Sequence, residues 1–189
     1  MSDLLIHGVL WAVCLAALLA SAATDVKSRI IPNRFAMAVA ICGLALSIAA
    51  RPHQLWAVAL GAAAVFFVFG VFAHYGLVGG GDVKLIAAAA MLVPPERIPL
   101  LLLSIALAGG VLSFAYLTMG YVFRRVRFAL PEPPEAGIAD AEPARWVKSE
   151  YARIAAGSPV PYALAVLGGV GSYILGELPK CFSAISCSL

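Results

Sequence analysis

The stretch Gly79-Gly80-Gly81-Asp82-Val83-Lys84-Leu85 decides how this chain folds. Three glycines precede one acidic residue, and the apolar run that follows ends at the proline pair Pro94 and Pro95. As a helix, residues 83–93 would be about 16 Å long, roughly half the ~30 Å hydrocarbon thickness of a bilayer. We therefore expect Asp82 to lie below the membrane surface, where an ionisable group is a candidate functional residue. A simpler interpretation is that Asp82 only forms the N-cap of the following helix.

The composition predicts an all-α, polytopic integral membrane protein. Of the 189 residues, 62% are hydrophobic and 12% are charged, and the mean hydropathy is +0.96. A soluble domain of this size does not need so much apolar surface. Six apolar stretches indicate about six transmembrane helices. They cover residues 4–23, 35–50, 54–73, 76–93, 98–123 and 160–176.

The distribution of positive charge predicts the orientation of these helices. If the N-terminus is outside, the inner segments 24–34, 74–84 and 124–159 contain ten of the thirteen Lys and Arg residues. This bias supports six spans with both termini outside, and it assigns the basic residues to the inner, anionic membrane surface. No basic patch with interleaved aromatic residues occurs, so a nucleic-acid partner is not expected. We expect one membrane-embedded domain over 1–189, with residues 128–159 as a cytoplasmic loop inside it.

A second acid follows the first apolar stretch. Asp25 lies at the C-terminal end of an inward-running helix, where the macrodipole disfavours an anion. Pro32 ends any helix before it, and Asn33 can cap the next, so the connection is short and well fixed. The simpler interpretation of Asp25 is a surface ion pair with a nearby Lys or Arg, which contributes little to stability.

The predicted topology puts Asp25 and Asp82 on the same side of the membrane, near the inner ends of different helices. Two carboxylates brought together in a partly desolvated site tend to share one proton. One acid can then activate a water as general base while the other polarises a scissile carbonyl. This is the arrangement that an aspartyl protease requires, although the sequence does not show that the side chains converge.

The residues around both acids resemble a known family. Thr24-Asp25 through Ile31-Pro32-Asn33, together with Gly79-Gly80-Gly81-Asp82-Val83-Lys84, resembles the type IV prepilin peptidases, whose second acid lies in a Gly-x-Gly-Asp motif. Val160-Pro161-Tyr162-Ala163 is similar to the Pro-Tyr motif that opens the family's last helix. The resemblance implies that Asp25 and Asp82 are catalytic, with Gly79, Gly80, Gly81, Lys84, Pro32 and Asn33 in support.

The resemblance also implies a substrate and a location. The substrate would be a prepilin or pseudopilin precursor, cut at the cytoplasmic face of the bacterial inner membrane, after a glycine and before the apolar helix. Pilus or secretion assembly proteins and the lipid bilayer are the further partners that it implies.

Long members of the family carry an added cytoplasmic domain with two Cys-x-x-Cys pairs and also methylate the new N-terminus. This chain has four cysteines but no Cys-x-x-Cys, which excludes a zinc site of that spacing. It looks like the short kind associated with Flp or tight-adherence pili. We therefore expect no metal, no cofactor and no N-methyltransferase activity.

Two other functions are compatible with the residues. A small membrane transporter or channel component could bind a proton or cation at Asp82 in a broken helix, although no inverted repeat relates the two halves of the chain. A catalytically idle assembly partner of a secretion system is the third interpretation. Lys84 follows Asp82 by two residues, and because positions i and i+2 of a helix do not face each other, we interpret it as an orientation or lipid-facing residue.

Overall fold

The computed structural model describes the backbone of residues 2–127 and 160–186, and the side chains of residues 5–122 and 160–176. Within these residues the chain is all-helical, which confirms the predicted fold class. The helices are α1 (Ser2–Ser28), α2 (Asn33–Ala50), α3 (Leu55–His74), α4 (Gly80–Ala90), α5 (Ile98–Arg127) and α6 (Tyr162–Ser186). Short 3₁₀ turns at Pro52–Gln54 and Pro95–Arg97 precede α3 and α5.

The described residues contain four helices long and apolar enough to cross a membrane. They cover Leu5–Ser28, Asn33–Ala50, Pro52–His74 and Pro95–Val122, and they match the first, second, third and fifth predicted stretches. Large apolar side chains lie on their surfaces, including Phe67 (74% exposed) and Trp56 (72% exposed). Such an apolar surface is suited to contact with lipid rather than water. The chain is therefore a multi-pass membrane protein. The six-span count and the outside position of both termini remain predictions.

The fourth predicted stretch does not form a spanning helix. α4 has 11 residues, which corresponds to about 16 Å. It begins at Gly80, earlier than expected, and it ends before Pro94 and Pro95 because the chain tightens first. Met91 and Leu92 donate their backbone N–H groups to the carbonyls three residues earlier, at 3.1 and 3.0 Å. α4 is therefore a short helix inside the bundle and not a membrane-spanning segment.

One compact unit comprises Met1–Gly109 and Pro161–Leu189, and α4 lies at its centre. α2, α3 and α6 all pack on α4, and α1 packs on α2 and α6. Every α4 residue from Val83 to Ala90 except Lys84 is buried. Small side chains allow this close packing: a Cβ on Gly43 of α2 would lie 2.8 Å from the Cβ of Met91. The core thus holds the first turn of α4 in a fixed place.

The other compact unit is Gly110–Val160. Its described part includes the C-terminal portion of α5, which is helical up to Arg127. The predicted cytoplasmic loop 128–159 lies outside the described residues, so the single-domain organisation over 1–189 stays a prediction.

α3 and α1 are both terminated by a residue with positive φ. α3 ends in a Schellman motif, in which Gly76 has a φ of 73° and Leu77 donates its N–H to the Phe72 carbonyl at 3.0 Å. α1 ends with Arg29 at a φ of 56°, and its N–H donates to the Asp25 carbonyl at 2.8 Å. The prediction that residues 24–34 form a connection is therefore wrong for 24–28, because α1 continues for one more turn.

Candidate active site

Asp82 is the third residue of α4, and its carboxylate accepts the backbone N–H of Gly79. Gly79 is the N-cap residue, with an extended backbone at φ −69° and ψ 139°. The interpretation of Asp82 as the N-cap is therefore wrong. Its hydrogen bond is the return contact of a capping box, in which the third residue of a helix reaches back to the N-cap amide. The helix start thus fixes where this carboxylate lies.

The three glycines before Asp82 differ in what surrounds them. A Cβ on Gly79 would lie 2.8 Å from Oδ2 of Asp82, and one on Gly81 would lie 3.1 Å from the Cβ of Ile31. A Cβ on Gly80 would meet no described atom within 4 Å. An added side chain would therefore crowd a neighbour only at the outer two glycines: the Asp82 carboxylate at Gly79, and the α1–α2 connection at Gly81. This explains the spacing of the Gly-x-Gly-Asp motif.

Asp25 lies in the last turn of α1 and is only 6% exposed. Its Oδ2 atom accepts the backbone N–H of Ala163 at 2.9 Å. Ala163 is the second residue of α6, where backbone N–H groups have no partner inside their own helix. Asp25 therefore meets the N-terminus of α6, where the helix dipole favours an anion and offsets the unfavourable end of α1. Asp25 is therefore not the surface residue of the simpler ion-pair interpretation, because its carboxylate is buried and bound to the start of α6.

Sequence reasoning missed the role of Ala163 because a backbone amide leaves no side-chain signature. The available signal was the Pro161-Tyr162 pair that opens α6. Pro161 is fully buried, and the Tyr162 ring lies 3.4 Å from the position that a Cβ on Gly109 would take. These contacts seat the start of α6 on α5 and so aim the Ala163 amide.

The charge of Asp25 acts on Asp82. Burial is the main cause that raises the pKa of Asp82 from 3.8 to about 6, and the nearby Asp25 charge raises it further, whereas the Gly79 hydrogen bond lowers it. Tyr162 also interacts electrostatically with Asp82. Asp25, Asp82 and the start of α6 therefore belong to one partly buried cluster, in which a proton can be retained near neutral pH.

A second contact, between the first turns of α2 and α4, lies beside this cluster. It involves the predicted supporting residues Pro32, Asn33 and Lys84. Pro32 is the N-cap of α2, with φ −62°, and α2 has no side-chain cap. The prediction that Asn33 caps α2 is therefore wrong: its Oδ1 accepts a hydrogen bond from Nζ of Lys84 at 2.9 Å. This bond joins the first turns of α2 and α4, and it directs the Lys84 ammonium to Asn33.

The cluster offers the groups for acid–base hydrolysis by two carboxyl groups. In the described part of the chain, no group of three or more His, Cys, Asp or Glu residues could hold a metal ion. A carboxyl group that retains its proton near pH 6 can donate a hydrogen bond to a carbonyl, and a neighbouring carboxylate can take a proton from water. Such a pair can cleave a peptide bond without a covalent intermediate.

Comparison with known proteins assigns the family. A family model described as the type IV leader peptidase family matches residues 12–114, more than half of the chain and a region that contains both acids. The chain therefore belongs to the type IV leader peptidase family, which confirms the resemblance. It is a membrane peptidase of the aspartic type, and its substrates are prepilin-type proteins. No curated protein and no solved structure matches the chain significantly.

Proposed function

We propose that Asp25 and Asp82 are the catalytic pair of this leader peptidase, and that they activate one water between them. The observation that carries the proposal is the electrostatic contact of the two acids, because the charge of Asp25 raises the pKa of Asp82 although the two residues belong to different helices. Two surface acids with only a structural role would not be expected to lie near each other inside a helix bundle.

The two acids have different surroundings, which suggests their roles. Asp82, with its pKa raised to about 6, is the member expected to carry the proton and to polarise the scissile carbonyl. Asp25, held by the Ala163 amide and the N-terminus of α6, is the carboxylate expected to accept a proton from the attacking water. The water oxygen then bonds to the carbonyl carbon, and as the peptide bond breaks the amide nitrogen leaves with the proton that Asp25 took from the water.

The substrate proposal follows from the family and from the missing cysteine motif. We propose Flp-type prepilins, cut at the cytoplasmic face of the inner membrane between the leader and the apolar helix. The chain has no Cys-x-x-Cys, which supports cleavage without N-methylation of the product. Pilus or secretion assembly proteins are the proposed further partners. Family membership favours this peptidase function over transport through Asp82.

The test is leader removal from a co-expressed prepilin by Asp25→Asn and Asp82→Asn. Asn keeps the shape of the side chain but can neither store nor accept the proton, so each variant should lose at least 10³-fold in cleavage rate if the acids act as one unit. Glu96→Gln, a change at an exposed acid of the Pro95–Arg97 turn, is the matched control and should cleave normally. Full processing by either Asn variant that has inserted into the membrane would refute the catalytic assignment.

A further inference from the structure

A groove of about 590 Å³ lies between α2, α3 and α4. Its sides are two stripes with i, i+3, i+4, i+7 spacing, one over residues 33–40 of α2 and one over residues 84–91, which are α4 and its C-cap residue Met91. Residues 62–67 of α3 supply the third side. Ten of the twelve lining residues are apolar, and six of these are alanines. The groove is therefore a narrow apolar channel, and small side chains make its space.

The groove is separate from the acid pair. Neither Asp25 nor Asp82, both within the described residues, lines it. The reason is the helical period, because Lys84 follows Asp82 by two positions and so points to another side of α4. α4 thus presents its acid toward α1 and α6 and its groove stripe toward α2 and α3.

The two polar residues of the groove, Asn33 and Lys84, lie at the same end. The Lys84 ammonium has three N–H donors, and Asn33 accepts one of them at 2.9 Å, which leaves donors for an anionic oxygen. This end of the bundle also carries Lys27 at the end of α1 and Arg34 at the start of α2. Ala40 and Met91 line the other end of the groove, about 10 Å along the helix axis.

The outer rim of the groove faces the surface on which lipid lies. Met37 is 62% exposed and Phe67 is 74% exposed, so the channel opens sideways from the bundle. An apolar channel with a cation at one end is complementary to a molecule with a chain and an anionic head. Basic pockets between transmembrane helices bind anionic headgroups in this way.

We propose that this groove is a binding site for one anionic phospholipid, whose acyl chain lies along the alanine stripes and whose phosphate contacts Lys84. The site is distinct from the acid pair and does not depend on the catalytic assignment. The bound lipid would hold α2, α3 and α4 together beside the active site.

The experiment is native mass spectrometry of the full chain in neutral detergent, titrated with phosphatidylglycerol or with phosphatidylcholine of the same acyl chains. One basic residue near a headgroup predicts that the wild type binds one phosphatidylglycerol about fivefold more tightly than phosphatidylcholine. Lys84→Gln keeps a donor for Asn33 but removes the charge, so it should abolish the preference. Equal binding of the two lipids by the wild type would overturn the proposal.

A pair of neighbouring alanines on α3 provides the matched control. Both residues are exposed, but Ala63 lines the groove and Ala64 does not. Ala63→Leu fills the groove and should weaken binding of both lipids at least fivefold, and Ala64→Leu should change neither. Circular dichroism melts of both variants verify the fold. Equal effects of the two variants would contradict the proposal.

The same variants distinguish a lipid from two other occupants of the groove. If Ala63→Leu raises KM for the prepilin and leaves lipid binding unchanged, the groove belongs to the apolar helix of the substrate. If it converts a dimer to a monomer with lipid binding unchanged, the groove belongs to a second copy of this chain. Either result overturns the lipid proposal.

Discussion

Asp82 and Asp25 reach the same cluster by opposite means. Asp82 is held by its own helix, through the Gly79 amide three residues earlier in the chain. Asp25 is held by the Ala163 amide of α6, 138 residues away. The local contact is encoded within one short motif, whereas the distant contact requires α1, α5 and α6 to be packed correctly. The position of Asp82 is therefore sensitive to substitutions beside it in the sequence. The position of Asp25 is sensitive to substitutions in another helix.

Of the two contacts that hold the acids, the local one is expected to give the larger loss of activity when it is broken. Gly79→Ala places a Cβ 2.8 Å from Oδ2 of Asp82, and since the Gly79 backbone is one that Ala adopts easily, the carboxylate must move rather than the helix. A displacement of about 1 Å costs on the order of 100-fold in rate. The measurement is kcat/KM for prepilin cleavage.

Gly80→Ala is the matched control for that change, because its Cβ meets no described atom within 4 Å. We expect it to retain normal kcat/KM and normal stability. Equal loss of activity in the Gly79 and Gly80 variants would show that motif flexibility, not the space around Asp82, is what matters.

The distant contact is tested by Ala163→Pro, which removes the amide that donates to Asp25. The first turn of a helix tolerates proline, and this amide has no partner within α6. Loss of a hydrogen bond to a charged group is worth about 1.5–3 kcal/mol, so cleavage should fall roughly 10- to 100-fold. Ala163→Gly keeps the amide and should retain most of the activity. If both variants are equally impaired, packing of the Ala163 side chain is responsible instead.

A smaller effect concerns stability, and its sign follows from the pKa of Asp82. Because that pKa is raised from 3.8 to about 6 in the folded protein, ionised Asp82 destabilises the fold. The penalty is absent below pH 3.8, grows up to about pH 6 and is complete above it. Asp82→Asn should therefore raise the apparent Tm by a few degrees at pH 8 and change it little at pH 4. A higher Tm of the variant at pH 4 only would contradict this sign.

The sequence predicted much of the fold for physical reasons that are local. Apolar runs predicted the six helices found in residues 2–127 and 160–186. The proline pair after α4 predicted that this helix would be short. Its exact bounds depended on the Gly79 cap and on the 3₁₀ tightening at Met91, which periodicity does not show. The extra turn of α1 was missed because polar residues from Thr24 to Ser28 resemble a connection.

The candidate site was predictable only as a set of residues. Asp25 and Asp82 were named from their side chains and from the family motif, but their convergence depends on packing around α4. Asn33 was expected to cap α2 because Asn commonly does so, and its contact with Lys84 arises only when α2 and α4 lie side by side. The Ala163 amide could not be predicted, since every residue except proline has one.

The interaction between the two acids is tested most directly by an infrared titration of protein carrying isotope-labelled aspartate, which follows the protonated carboxyl band of Asp82. Asp82→Asn identifies the band by removing it. We predict a midpoint near pH 6 in the wild type and a lower midpoint in Asp25→Asn, because the charge of Asp25 contributes to the raised pKa of Asp82. Identical midpoints in the wild type and Asp25→Asn would show that the two acids do not interact, and would contradict their assignment as one catalytic pair.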